Sequence, residues 1–172
     1  GVAVSRMCCE PLVEYGPKAL EDHRKGLCTY DVEQVVLAIV VTTGIASIFL
    51  TKDYTPDYNS GLAHAIFYAM TVYPVIEEKH LHGEVVGFGV LIALLADQQY
   101  DEFEKIYRLN KAVHLPVSLD EIEITEEQWE ECMERIPDMS DVDHYPYRVT
   151  KEMLADAMDK LKERVRKDNE EK

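Results

Sequence analysis

The sequence predicts an all-α fold, a helical bundle, on three observations. No run of residues alternates convincingly with period two. Apolar residues recur instead at three- and four-residue spacing, most clearly from residue 100 onward. The breaks between these stretches are helix punctuation: Gly16-Pro17, Pro74, Pro116, and polar residues able to cap a helix start. A chain of 172 residues fits one domain, expected here as a single helical unit over 1–172. At this length roughly 70% of the unfolded surface can be buried.

Each element follows from its own residues. Residues 2–15 read as one helix, perturbed by Pro11 and expected to stop at Gly16-Pro17. Residues 31–50 form a second, with no charge from Gln34 to Thr51. Eighteen uncharged positions approach the length that spans a bilayer. Two adjacent threonines, a serine, a glutamine and a glycine dilute the run, and no Lys/Arg cluster or aromatic belt flanks it. The expectation is therefore a central helix buried all round, not a membrane span.

A turn-rich loop follows over 51–60, and its last residues, Asn59 and Ser60, are placed to cap an apolar helix over 61–73. Residues 75–81 read as a connector, and 82–98 as a strongly apolar helix whose glycines permit close packing. Beyond it the character becomes amphipathic, through Phe103, Ile106, Tyr107 and Val113. Ser118 with Glu121, and Thr125 with Gln128, match the capping-box pattern. Thr150 is placed to cap the last helix, whose charged end from 162 is expected to fray.

Composition narrows the function. A formal net charge of −15 disfavours nucleic acid and anionic membranes, both of which recruit Lys and Arg. No basic segment followed by an apolar run opens the chain, so no signal peptide is expected, and the setting is taken as cytoplasmic. Cys8, Cys9, Cys28 and Cys132 form no C-x-x-C pair and read as small buried hydrophobes in a reducing compartment. Neither a phosphate-cradling glycine loop nor a G-x-S-x-G elbow occurs.

The chemistry-bearing candidates are histidines. His64 lies in the first turn of one predicted helix and His82 at the start of another, eighteen residues on. The partial positive charge of a helix N-terminus disfavours imidazolium, and neutral imidazole is the form that ligates a metal. His80 is an uncertain third, since a catalytic zinc takes three protein ligands and keeps one open position. Glu84 could orient a ligating histidine or simply start its helix. His114 and His144 read as structural or exposed, and the acidic stretch 121–134 as a solvated face around Trp129. Asp138, Asp141 and Asp143 lack the glycine and terminal glutamate of a calcium loop.

GLAHAI (61–66) followed by LHGEVVGFG (81–89) resembles the C-terminal half of glycerol dehydrogenases, within the metal-dependent, iron-containing alcohol dehydrogenase family. VHLPVSL (113–119) and HYPYRVT (144–150) extend the resemblance over nearly the whole chain. The family's segment before its first histidine reads G-G-L-A-x-A-H and is shorter here, which would turn His64 on its helix. Dehydroquinate synthases share the histidine motifs at shorter spacing and rank second.

The resemblance implies that His64 and His82 are metal ligands, for zinc or iron. It places the third ligand, an aspartate, and the NAD- or NADP-binding domain before residue 1. It implies an oxidoreductase parent acting on a small alcohol or polyol, in which the metal polarises the substrate hydroxyl. The chain alone is then expected not to oxidise alcohols, and to self-associate through the face that would meet the other domain. A second reading is a stand-alone helical module that binds metal or protein without catalysis.

Overall fold

The computed structural model describes residues 2–50 and 60–170, and among these the secondary structure is helical without strands. The loop expected over 51–60 thus lies outside the described residues except for Ser60. The chain's contacts group into two compact units, Gly1–Asn59 and Ser60–Lys172, described separately below.

The first unit pairs two helices. Helix α1, Val2–Arg24, runs straight through the expected stop at Gly16-Pro17. Proline costs a helix one N–H bond but does not oblige it to end. The helix stops instead at Gly26, whose φ of +69° few other residues adopt cheaply. Buried Asp22 ties off this end, accepting from the Lys18 ammonium and from the Thr29 hydroxyl at 2.9 Å.

Helix α2, Tyr30–Leu50, contains a widened π-turn over Ala38–Thr42, where the Thr43 hydroxyl donates to the Ala38 carbonyl at 2.9 Å. By length and composition α2 could cross a membrane. The expectation that it is buried all round is not met. Only Ala38 and Ala46 are buried, while Val40 is 68% and Ile48 75% exposed. Within the described part of its unit only α1 packs along it, and one neighbour covers one face of a helix. Cys28 is likewise exposed and Cys8 and Cys9 half-buried, so of the four thiols only Cys132 is a buried hydrophobe.

The second unit holds the core. Helices α3 (Leu62–Met70), α4 (Pro74–Lys79), α5 (His82–Ala96), α6 (Tyr100–Val113), α7 (Glu126–Arg135) and α8 (Lys151–Glu170) follow in order. The expected connector over 75–81 is mostly the short helix α4, started by Pro74 at its first position. Helix α5 is the central one, packed by α3, α6 and α8. Its Val85, Phe88, Leu91, Ile92 and Leu95 are buried, which is how a helix apolar on every side is accommodated. Trp129 of α7, 1% exposed, and Leu154, Met158 and Leu161 of α8 complete the core. Thr125 and Gln128 form the expected capping box, with bonds of 2.9 and 3.2 Å. Ser118 accepts from the Glu121 N–H at 3.3 Å, but only a single 3₁₀ turn follows, Asp120–Ile122.

Helix α8 runs to Glu170 without fraying from 162, because cross-helix ion pairs hold its charged end. Arg164 clasps Glu104 of α6 through two nitrogens, at 2.9 and 2.8 Å, with its guanidinium 4.4 Å from the Tyr107 ring centroid. Hydrogen bonding from Arg164 holds the Glu104 carboxyl below its ordinary value of 4.5. A carboxyl depressed by folding stabilises fully above its unfolded value and loses that contribution as pH falls through its folded value. Replacing Arg164 with Gln should therefore cost about 1–2 kcal/mol at neutral pH. In urea titrations the gap between variant and wild type should narrow as pH drops below about 4.5.

Candidate metal centre

Two helix starts converge. His64 stands in the first turn of α3 and His82 is the first residue of α5, and their ring centroids lie 5.6 Å apart. His82 meets Phe67 and His64, whereas Gly89, two turns on, meets Ala63. A Cβ at Gly89 would lie 2.7 Å from the Ala63 carbonyl oxygen and 3.0 Å from its Cα, so only glycine permits this approach. The shorter segment before His64 does not turn it away from His82.

The surroundings restrain both rings. Phe67, one turn past His64 on the same face, meets the His82 imidazole edge-on with centroids 4.4 Å apart. His64 is half-buried, whereas His82 is exposed, so the pair opens to solvent on one side. Burial, then the neighbouring His82, pushes the His64 pKa below its ordinary 6.5, against a weaker opposing pull from Asp141. His64 is thus a neutral imidazole at physiological pH, with a lone pair available.

The start of α3 is secured from far away in sequence. Gly61, not Ser60, is the N-cap residue, and its side offers no bond. The Leu62 N–H donates instead to the Tyr145 hydroxyl at 3.3 Å, and the Tyr145 ring packs beside Gly61, 3.4 Å from where a Cβ there would stand. Asn59 lies outside the described residues. Sequence reasoning missed Tyr145 and Phe67; the Phe67 signal was its i, i+3 spacing from His64.

The remaining candidates go elsewhere. His80, at the end of α4, turns between two carboxylates, with Nδ1 3.8 Å from Glu84 and Nε2 3.7 Å from Glu123. Glu84 accepts the Leu81 N–H at 2.9 Å, which makes it a helix-start carboxylate. His114 is the exposed left-handed cap of α6, and His144 is exposed. Around inward-facing Trp129 the acidic stretch is solvated and paired outward, with Glu126 on Lys162 and Glu130 and Glu134 on Lys151.

Two converging imidazoles, one held neutral, fit two of the three protein donors of a catalytic zinc. Among the described residues no group of three or more His, Cys, Asp and Glu side chains is placed to hold a metal ion. A complete centre needs a donor from beyond them. The residues Tyr54, Pro56 and Tyr58, in the loop before the first histidine, lie outside the described residues.

No protein-family model matches the chain. Among curated proteins it is similar to a glycerol dehydrogenase of Thermotoga maritima, 34% identical over 124 residues, covering 70% of this chain and 31% of that protein. Glycerol dehydrogenase 1 of Schizosaccharomyces pombe is 30% identical over 127 residues, covering 72% and 26%. The chain thus spans about a third or less of the curated relatives it matches. Among solved structures, the S. pombe glycerol dehydrogenase superposes with a TM-score of 0.78 at 24% identity, over 99% of this chain and 44% of that one. A probable glycerol dehydrogenase of Sinorhizobium meliloti gives 0.76 at 24%, over 96% and 45%. At that identity the superpositions speak for the fold, which is all-α as expected.

Proposed function

Given that the chain is a C-terminal domain of a glycerol dehydrogenase-like protein, we propose that His64 and His82 are its share of a divalent metal centre in a polyol dehydrogenase. The observation that carries this reading is the 5.6 Å approach of two imidazoles from the starts of two different helices. Nothing in local structure requires that meeting, and a zinc or iron ion would use it. Bound there, the metal would supply Lewis acidity toward a substrate hydroxyl, while NAD or NADP held by the rest of the protein accepts hydride.

The chain's own residues supply position. His64, kept neutral by burial, offers a lone pair without first losing a proton. Phe67 packs edge-on against the His82 ring and limits how that ring can turn. Gly89 sets the spacing of α3 and α5, and hence of the two rings. The third donor and the nicotinamide site belong to the part of such a protein that this chain does not carry. The substrate is a small polyol, and the setting is cytoplasmic.

The test is the mass and activity of the endogenous protein carrying this domain. A species of about twice 19.7 kDa is expected if a further domain of similar size accompanies it. That species should reduce NAD or NADP with glycerol or a related diol, and lose the activity on chelation. A species of 19.7 kDa without dehydrogenase activity would replace this reading with a stand-alone binding module.

A further inference from the structure

His64 is the third residue of α3, so the first turn of that helix decides where its ring stands. A helical side chain leans back toward the helix N-terminus, which lays the His64 imidazole over that turn. The turn has little local support. Gly61 stands at the N-cap in extended backbone, with φ −171°, and has no side chain to accept from the first N–H groups. A helix start without such an acceptor frays. Here the acceptor comes from the segment before α8. The Tyr145 hydroxyl takes the Leu62 N–H at 3.3 Å, while the Gly61 carbonyl accepts from the His64 and Ala65 N–H groups, each at 2.9 Å. The Tyr145 ring rests edge-on against Tyr147, centroids 5.6 Å apart, and the Tyr147 hydroxyl donates to Asp97 at the end of α5. The same segment reaches the site a second time. Its 3₁₀ turn Ser140–Val142 packs on α3, and Asp141 is the carboxylate that pulls on His64.

We propose that Tyr145 is a positioning residue of the metal centre, its hydroxyl serving as the N-cap that α3 lacks locally and so holding the His64 imidazole beside His82. This rests on the reading of His64 and His82 as metal ligands and extends it to a residue 83 positions from Leu62. The physical basis is preorganisation. Two imidazoles bind one ion well only when both already stand within about 0.5 Å of the ligating geometry. His82 has Phe67 against its ring. For His64 the corresponding restraint is the turn beneath it. A turn that must be ordered on binding costs affinity, and Tyr145 supplies that order in advance.

The experiment measures zinc affinity, by competition against a chromogenic chelator, and amide hydrogen exchange on the metal-free whole chain. Tyr145→Phe keeps the ring and removes only the oxygen. It should weaken zinc binding about tenfold, the low end for residues that orient a metal ligand. The His64 and Ala65 amides should exchange about tenfold faster, while Leu91 and Ile92 in the α5 core stay within about twofold. Rescue separates capping from general support. Gly61→Ser in the Tyr145→Phe background places a hydroxyl at the N-cap, where a Cβ meets nothing nearer than the residue 145 ring at 3.4 Å. Zinc affinity and exchange should then return to within about twofold of wild type. Tyr147→Phe, which loses the bond to Asp97 but not the cap, should leave zinc affinity unchanged. A Tyr145→Phe chain with wild-type affinity and exchange would overturn the inference, and so would a double variant that stays as weak as Tyr145→Phe. Exchange that quickens equally at Leu91 and Ile92 would overturn it too, since the hydroxyl would then support the whole fold. If His82→Ala loses zinc while Tyr145→Phe keeps it, this inference alone falls. If wild type and His82→Ala bind zinc alike, the ligand reading falls and this inference with it.

Discussion

Replacing His82 with alanine should lower the chain's affinity for zinc at least about 100-fold. His64→Ala should do the same. Losing even an outer-shell partner of a metal ligand costs about 10–100-fold in affinity, and removing one of two donors outright costs no less. The two effects should not add, because a single remaining imidazole holds zinc no better than a histidine on any exposed helix. His80→Ala serves as the internal control. It lies two residues from His82, yet its ring faces Glu84 and Glu123 rather than the pair, so zinc affinity should stay within a few-fold of wild type. Competition against a chromogenic chelator reads all three variants. Equal affinity in the wild type and His82→Ala would remove the metal centre from this pair of rings.

Gly89→Val should destabilise the domain by about 3 kcal/mol, at the upper end of what overpacking costs. Its Cβ would meet the backbone of Ala63, which cannot rotate aside as a side chain can. Helices α3 and α5 must then separate, and His64 sits one residue from the point of contact. The variant should therefore lose zinc affinity as well as stability, although neither histidine is altered. Gly83→Ala is the matching control on the same helix. Nothing lies within 4 Å of its Cβ, and alanine is the better helix former, so stability should equal or exceed wild type. Denaturant titration alongside zinc competition separates the outcomes. A Gly89→Val chain as stable as wild type would mean that the α3–α5 contact is looser than its geometry indicates.

The legibility of the candidate site follows the same division between backbone and packing. His64 and His82 stood out because each opens a predicted helix, a feature of order along the chain. His80, two residues before His82, was an uncertain third there. Its exclusion depends on where the ring lies in the fold, between Glu84 and a Glu123 more than forty residues away, with Nε2 3.7 Å from the latter. Tyr145, which secures the start of α3, could not be found from the residues near Gly61, because its hydroxyl arrives from 83 positions downstream.

What the sequence by itself determined is what local periodicity and capping chemistry determine. These are the helical class, the existence of most helices, the capping box at Thr125 and Gln128, and the two histidines at helix starts. Only the tertiary structure decided burial and contact. Helices α2 and α5 are both apolar on every side, and the sequence rates them alike. One is surrounded by three helices and forms the core, whereas the other has α1 on one face and keeps the rest exposed. Periodicity states which face of a helix can be buried, but the number of neighbours that arrive to bury it is a property of the assembled fold.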